Sequence, residues 1–262
     1  EASRGDSTAQ AAVGWMRLFG RGSALDPRDA VVWLEKAADQ GNNWAQYNLS
    51  IAHRRGIGVE LDEAEGIKWL EEAALNGHPI AQYELGRIYA NGLGLIEDQR
   101  EAARFFRLAA EQGHLEAQDE IGMRLSTGRG ILPDTSEALH WLRMAAEKGH
   151  EGAQYRLAVV YANGYGLPQD HAQANRWFQM TADQGNAWAQ YSLGFMYATG
   201  QGVPLDYGAA LTWFELAAEQ DHARARDARD AISRIMPKEQ IEAAREKAKS
   251  WRPKVNRSAK GA

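Results

Sequence analysis

The stretch that decides the fold is residues 81–113, which read AQYELGRIYANGLGLIEDQREAARFFRLAAEQG. Its first part places Leu85 and Tyr89 on one helical face, and the Gly-x-Gly of residues 92–94 then interrupts the helical pattern. A second helical pattern follows Asp98, a favourable N-cap residue, and carries small and aromatic side chains on one face until a closing glycine. The stretch therefore predicts two short helices joined by a tight turn.

The same pattern recurs every 36 residues. The dipeptide Ala-Gln occurs six times at that interval, beginning at Ala9, Ala45, Ala81, Ala117, Ala153 and Ala189. Two glycine columns, an aspartate column, an aromatic column and a pair of small residues keep the same register. Helices this short are marginal alone in water, so each hairpin has to bury its apolar face against its neighbours. We predict an all-α, right-handed α-solenoid of six 36-residue helix-turn-helix repeats with a C-terminal capping helix.

The two ends of the chain depart from the repeat. Arg229 stands in a column that holds leucine in most repeats, which is typical of the polar cap that a solenoid needs. Pro237 is well placed to open a last helix. We predict four parts: the end of a preceding helix or an N-terminal remnant over residues 1–8, six repeats over 9–224, capping helices over 225–251 and a disordered basic tail over 252–262.

Composition excludes several classes of protein. Hydrophobic residues make up 44% and charged residues 25% of the 262 residues, as in soluble globular proteins. No apolar run approaches the ~20 residues of a membrane span, and the absence of cysteine excludes disulfides and thiolate metal sites. The residues after 236 carry a net charge of +5, which leaves −10 on the rest of the chain. This balance is unlike that of nucleic-acid binders, so we predict neither a nucleic-acid partner nor an integral membrane segment.

Motifs that suggest catalysis or metal binding lack the context that they need. The Gly-x-Gly turns have no preceding strand, as a nucleotide-binding loop would require. His78, His114 and His150 lie one period apart, and equivalent positions in stacked repeats are about 10 Å apart, too far to share one metal ion. No serine-nucleophile motif is present. We predict no catalytic residue, no metal and no cofactor.

The repeat columns resemble a known family. Their consensus is A-Q-Y-x-L-G-x-x-Y-x-x-G-x-G-(L/V)-x-x-D-x-x-x-A-x-x-W-(L/F)-x-x-A-A-x-x-G, which resembles the Sel-1-like repeat, a relative of the tetratricopeptide repeat. The resemblance covers residues 5–224. His53 and Leu125 depart from one tyrosine column and Asp119 departs from another. The resemblance implies an adaptor that assembles protein complexes, often around membranes or in bacterial envelope, signalling and host-interaction systems.

The resemblance also indicates where a partner binds. By analogy with the tetratricopeptide relative, the first helix of each repeat lines a concave groove, and its outward-facing residues are candidate contacts. The tyrosines in this set can instead pack between repeats, and the arginines beside glutamates can form an ordinary solvated face. The predicted partner-binding residues are Arg54, Arg55, Tyr83, Glu84, Arg87, Asn91, Asp119, Tyr155, Arg156, Asn163 and Tyr191.

These observations lead to a functional prediction. We predict a non-enzymatic adaptor that binds a partner protein or peptide in its concave groove, in a bacterial envelope, signalling or host-interaction role. A dedicated inhibitor or immunity protein for a toxin is the alternative, and a hydrolase of the penicillin-binding type is a third hypothesis. The sequence does not begin with Met, and we expect a periplasmic or secreted protein, with a cytoplasmic one as the alternative. We expect a monomer.

Overall fold

The computed structural model describes residues 1–22 and 24–254. Over these residues it contains one short 3-10 helix, fourteen α-helices and no strand, which confirms the predicted all-α solenoid. None of the described helices is both long enough and apolar enough to cross a bilayer. Residues 255–262, most of the predicted basic tail, lie outside the described residues.

The chain divides into two compact units, Glu1–Asp134 and Thr135–Ala262. The described helices of the N-terminal unit are a 3-10 helix at Ala2–Arg4, α1 Ser7–Phe19, α2 Pro27–Ala38, α3 Asn43–Arg55, α4 Glu63–Leu75, α5 Pro79–Asn91, α6 Gln99–Glu111 and α7 Leu115–Thr127. Those of the C-terminal unit are α8 Thr135–Glu147, α9 Glu151–Asn163, α10 His171–Asp183, α11 Ala187–Thr199, α12 Tyr207–Glu219, α13 Ala223–Ser233 and α14 Lys238–Ser250. The odd-numbered helices are the first helices of the repeats, here named A helices. The helices α2 to α12 with even numbers are the B helices.

The predicted aspartate N-caps directly precede the B helices. The carboxylate of Asp98 accepts hydrogen bonds from the backbone N–H groups of Arg100 and Glu101 at 2.8 and 3.1 Å. Four further B helices start in the same way, at Asp26, Asp62, Asp170 and Asp206. A carboxylate at this position satisfies free amides of the first turn and suits the positive end of the helix dipole.

The A helices begin two residues before the Ala-Gln pairs. The reason is a cap that the sequence analysis missed. His78 precedes α5, and its Nδ1 accepts a hydrogen bond from the backbone N–H of Ala81 at 3.2 Å. Asn42 and Asn186 perform the same function in the same column with an amide oxygen. The histidine column therefore caps helices, and His114, His150 and His222 repeat the arrangement.

Glycine in the middle of the A helices allows the paired helices to approach closely. A Cβ atom on Gly86 would lie 2.9 Å from a ring carbon of Phe106, and one on Gly194 would lie 2.6 Å from the ring of Phe214. Contacts this short are not available to a real Cβ atom, so the aromatic side chain of the B helix occupies the space that glycine leaves. The loss of helix propensity at these positions is thus offset by packing.

Successive repeats are joined by a second close contact, at the last glycine of the Gly-x-Gly turn. The backbone of Gly58 has a φ of +77°, and a Cβ atom there would lie 2.2 Å from the carbonyl oxygen of Pro27. Pro27 is the first residue of α2, in the preceding repeat. Gly130 and Gly202 meet the backbone of Gln99 and His171 in the same way. The first glycine of the turn ends the A helix, whereas the second permits contact between repeats.

The glutamine of each Ala-Gln pair is buried, and five of the six tie three points together, since the side-chain oxygen of Gln118 has no hydrogen-bond partner among the described residues. The Nε2 of Gln82 donates to the carbonyl of Ala74 at the end of α4, at 3.1 Å. Its Oε1 accepts a hydrogen bond from the side chain of Gln112, which follows α6, at 2.7 Å. The pattern recurs at Gln10, Gln46, Gln154 and Gln190. A buried amide with both ends satisfied fixes the positions of the groups that it joins.

The C-terminal unit ends in a polar cap. Helix α14 packs on α12, and Glu215 of α12 forms ion pairs with Arg245 at 2.8 Å and with Arg229 at 3.8 Å. Beyond α14 the chain is extended, and the ring of Trp251 packs edge-on against Trp213. The charged residue that interrupts the leucine column therefore pairs with a carboxylate of the last B helix.

Candidate functional site

A groove runs between α3 and α5 of the N-terminal unit, and the start of α7 contributes two side chains to it. Its volume is about 720 Å³. The lining residues belong to the A helices and to the segments that follow α3 and α5: Tyr47, Ile51, Arg54, Arg55, Leu61, Glu63, Ile80, Tyr83, Glu84, Arg87, Ile88, Leu93, His114 and Glu116. We name it the α3–α5 groove. It brings together five of the predicted partner-binding residues, Arg54, Arg55, Tyr83, Glu84 and Arg87.

The tyrosines of the groove are positioned by the histidine caps of the following A helix. Tyr47 stacks on His78 with ring centres 4.5 Å apart, and Tyr83 stacks on His114 at the same distance. Both tyrosines are half-buried, and burial raises the pKa of the Tyr83 phenol. The tyrosine column therefore takes part in packing between repeats, which was one of the two roles that the sequence left open. The same rings also line the groove.

A three-residue polar cluster forms one wall. The two oxygens of the Glu84 carboxylate accept one hydrogen bond each, from the Tyr47 hydroxyl at 3.0 Å and from Nη1 of Arg54 at 2.9 Å. Burial, followed by the neighbouring Glu84 charge, raises the pKa of the Tyr47 phenol far above its usual range. Each bond links α3 to α5, so Arg54 and Glu84 hold the wall of the groove and largely neutralise each other.

Two arginines of the groove have no such partner. Arg55 and Arg87 are exposed, and neither forms an ion pair with any residue that the structure describes. The guanidinium of Arg87 lies over the ring of Tyr83, 6.0 Å from its centre. Two positive charges in a groove of an otherwise acidic chain are available to a ligand.

Exposed aliphatic side chains lie beside these charges. Leu61, Ile80 and Leu93 line the groove with 69%, 43% and 55% of their surfaces exposed. Apolar side chains clustered in a concave surface and surrounded by polar residues are a common mark of an interaction site. The α3–α5 groove thus combines apolar contact area with unpaired guanidinium groups.

The other predicted residues lie elsewhere. Asn91 is exposed at the end of α5 and donates to the carbonyl of Arg87 at 2.8 Å. Asp119 is buried on α7, because its short side chain in a tyrosine column does not reach the surface. The predicted residues of the C-terminal unit are half-buried Tyr155, Arg156 and Tyr191 and exposed Asn163.

The C-terminal unit repeats part of the groove chemistry. Tyr155 packs on Phe178 with ring centres 5.7 Å apart, and burial raises the pKa of its phenol. Tyr191 stacks on His222 at 4.8 Å. These contacts are packing between helices, as at Tyr83 in the N-terminal unit.

A second cleft was not among the predicted site residues. It lies between α1 and α3, has a volume of about 340 Å³ and is lined by Thr8, Ala11, Ala12, Trp15, Asn42 and Trp44. The rings of Trp15 and Trp44 are tilted with centres 6.3 Å apart. Both tryptophans interrupt columns that hold other residue types in most repeats, and that signal could have identified them. We name this site the tryptophan cleft.

The α3–α5 groove and the tryptophan cleft have the chemistry of sites that bind another molecule. Glu84, the carboxylate at the centre of the groove wall, is bonded to Tyr47 and Arg54 and is not placed beside a nucleophile as a catalytic base would be. Across residues 1–22 and 24–254, no group of three or more His, Asp or Glu side chains could hold a metal ion.

Comparison with protein families gives one clear match. A model described as the Sel1 repeat matches six consecutive segments of the chain, residues 7–42, 45–78, 79–114, 115–150, 152–186 and 189–222. No curated protein sequence matches the chain.

Several solved structures are similar. A protective antigen present in uropathogenic Escherichia coli strains, which displays an SLR fold, is 31% identical with a TM-score of 0.78, over 95% of this chain and 54% of that one. The chain thus spans about half the length of that protein. A Sel1 repeat protein from Oxalobacter formigenes is 33% identical with a TM-score of 0.64, over 81% and 85% of the two chains. An immunity protein from Pseudomonas aeruginosa is 19% identical with a TM-score of 0.42, over 82% of each chain.

Proposed function

The chain belongs to the Sel1 repeat family, whose members are protein-interaction scaffolds, and from this we propose that it is a non-enzymatic adaptor that binds a partner protein on its A helices. Repeat class alone does not name a binding surface. The α3–α5 groove supplies one, because its walls are fixed by bonds between repeats while its free groups face outward.

The observation that carries this proposal is the pair of exposed, unpaired arginines beside exposed aliphatic side chains in one groove. Arg55 and Arg87 gain nothing from an ion pair within the described residues, and Leu61 is 69% exposed. Arginine, tyrosine and tryptophan side chains at the centre of an interface contribute much of the binding energy in protein complexes, and Tyr83 lines the same groove. A protein partner would bury the aliphatic surface and pair the arginines at once.

The proposal is tested by capture of partners from an extract of the source organism. The immobilised wild-type protein is compared with a double variant, Arg55→Glu with Arg87→Glu. We expect specific proteins to be retained by the wild type and lost from the variant. The melting temperature should change little, since exposed charge changes rarely alter stability by more than ~0.5 kcal/mol.

A matched control reverses two charges on B helices of the same unit, Lys36→Glu with Lys68→Glu. Both lysines are exposed, on α2 and α4. We expect this variant to retain the captured proteins. Loss of capture in the control together with retention in the groove variant would place binding on the B helices and refute the proposal.

A further inference from the structure

Equivalent surface positions on successive A helices change character in one direction along the N-terminal unit. Residues 36 apart occupy the same place on α1, α3 and α5. Two such columns are Trp15, Ile51 and Arg87, and Phe19, Arg55 and Asn91. A third column, on α3, α5 and α7, is Trp44, Ile80 and Glu116. In these columns the face is aromatic on α1 and at the start of α3, aliphatic in the middle of α3 and at the start of α5, and charged at the end of α3, at Arg87 of α5 and at the start of α7.

The aromatic end is a formed cleft. Trp15 contacts both Phe19 and Trp44, with ring centres 5.7 and 6.3 Å away. Phe19 is 49% exposed, and the small side chains of Ala11 and Ala12 line the space beside the rings. The tryptophan cleft, at about 340 Å³, is large enough for one or two apolar side chains of a ligand.

The charged end lies in the α3–α5 groove, whose lining contains three arginines and three glutamates, Arg54, Arg55, Arg87, Glu63, Glu84 and Glu116. Its positive charges divide into two kinds, because Arg54 is paired with Glu84 at 2.9 Å whereas Arg55 and Arg87 are unpaired among the described residues. An unpaired guanidinium in a groove favours a carboxylate as its ligand. The aliphatic Ile51 stands between Trp15 and Arg87 in their column, and both it and Ile80 line the groove.

We propose that the N-terminal unit binds one class of partner, a protein segment with an apolar anchor followed by carboxylates, in a single orientation. The anchor occupies the tryptophan cleft, and the carboxylates pair with Arg55 and Arg87. This inference rests on the proposed function and specifies its partner. A segment bound the other way round would place its carboxylates against the rings of Trp15 and Trp44, where Arg21 lies over the Trp15 ring at 5.5 Å. It would also leave both Arg55 and Arg87 without a carboxylate, so the face favours the stated direction.

The repeat spacing sets the length of the segment. Packed helices lie about 8–10 Å apart, so the two steps from the α1 column to the α5 column span about 20 Å. An extended chain covers about 3.3 Å per residue. About six residues therefore separate the apolar anchor from the carboxylate that meets Arg87.

Synthetic peptides test the chemistry. The probe is a fluorescein-labelled peptide with a Leu-Pro-Phe block, a six-residue Ser-Gly spacer and a block of four Asp and Glu residues. One analogue carries lysine in place of the acids, and a second carries serine in place of the apolar block. In fluorescence anisotropy at low salt, we expect the probe to bind at least about tenfold more tightly than either analogue.

Protein variants assign each block to its site. Trp44→Ala should weaken the probe about tenfold and leave the serine analogue unchanged, because that analogue has no anchor to lose. Arg55→Gln with Arg87→Gln should weaken the probe similarly and should not weaken the lysine analogue, because for that analogue the change removes only a charge repulsion. Circular dichroism checks that each variant folds. If Trp44→Ala does not fold, Trp44→Leu retains apolar volume at this position and replaces it.

The absence of cysteine in the chain makes orientation directly measurable. Ala12→Cys places a single thiol in the tryptophan cleft, and Asn91→Cys places one beyond Arg87. Each thiol carries a fluorophore, and the unlabelled probe carries a short-range quencher on its apolar end. We expect stronger quenching at position 12 than at position 91. Equal quenching, or the reverse order, refutes the single orientation.

The outcomes separate this inference from the proposed function. Equal affinities for the probe and both analogues, or a probe affinity that neither set of variants changes, refute the anchored acidic segment. If Arg55→Glu with Arg87→Glu still abolishes capture of natural partners, the groove remains the binding site and only the inferred partner class fails. If capture is also unaffected, both proposals fail.

Discussion

Two glycines with the same backbone conformation provide a sharp test of the contact between repeats. Gly41 and Gly58 have φ values of +78° and +77°, but a Cβ atom at Gly41 would meet nothing within 4 Å, whereas one at Gly58 would lie 2.2 Å from the carbonyl oxygen of Pro27. The left-handed backbone costs an alanine about 1–2 kcal/mol at either position. Gly58→Ala must in addition displace the backbone of α2, for which overpacking costs suggest a further ~1–3 kcal/mol.

The comparison is made by urea denaturation followed by far-ultraviolet circular dichroism. We expect Gly41→Ala to lower the free energy of unfolding by about 1–2 kcal/mol and Gly58→Ala by about 2–5 kcal/mol. Both changes have the same effect on the unfolded chain, so that contribution cancels in the difference. Equal slopes against urea would show that the two variants expose the same surface on unfolding. Equal losses of stability would refute the reasoning, because they would mean that Pro27 does not constrain position 58.

Two further predictions concern buried polar groups of the N-terminal unit. Burial lowers the pKa of His78, and the neutral Nδ1 of this residue accepts the cap hydrogen bond. The contribution of His78 to stability is therefore complete above the ordinary histidine pKa of about 6.5 and is lost as the pH falls below that value. We expect the wild type to lose its stability advantage over His78→Asn as the pH falls from 7.5 to 5.5, by up to about 1.4 kcal/mol per pH unit below 6.5, in urea melts. A difference that stays constant with pH would contradict this expectation. Arg124 is 1% exposed and reaches the Gln99 amide at 2.9 Å, but its nearest carboxylate, on Glu120, is 3.9 Å away. Glu120 is partly exposed and distant, so Arg124 carries the cost of desolvating its charge without a close ion pair, and Glu120 stays solvated when the charge is removed. We therefore expect Arg124→Met to change the free energy of unfolding by about 0 to +2 kcal/mol, whereas a loss above about 2 kcal/mol would show that the arginine bonds stabilise the fold.

Much of the fold can be predicted from single residue types that recur at fixed positions of the 36-residue repeat. An aspartate three residues before a free amide predicts a cap, and Asp98 behaves as predicted because the interaction is local in sequence. A glycine in the middle of a helix, such as Gly86, indicates a close helix approach because only a packing gain offsets its cost, and Phe106 provides that packing. Local chemistry and a strict period were sufficient for these features.

The histidine caps could have been predicted and were not. His78 shares its column with Asn42 and Asn186, and asparagine is a strong N-cap residue. The spacing of the histidines bears only on metal ligation, whereas the asparagines of the same column indicate a cap. The capping role explains why both residue types suit the position, because each offers an acceptor to the third amide of the helix.

The charge pattern of the groove was beyond prediction from sequence. Arg54, Arg55 and Arg87 look alike in the sequence, yet only Arg54 bonds to Glu84, together with Tyr47. These bonds join residues 30 and 37 positions apart, and they depend on side-chain directions that the period does not determine. The burial of Asp119 has the same origin, since a column shows which residues are equivalent but not how far each side chain reaches.

The glutamine bonds have a consequence for how such a chain can change in length. Gln82 bonds to the ends of α4 and α6, and Gln46 bonds in the same way to the ends of α2 and α4. Both bonds are present at five of the six glutamines, Gln118 being the exception, so a whole 36-residue segment can be duplicated or deleted by unequal recombination and leave a junction of the same kind behind. A gain or loss of any other length within a helix would shift a glutamine out of register with one of its partners. The six periods without a single inserted residue are the record expected of a gene that grows and shrinks only in whole repeats.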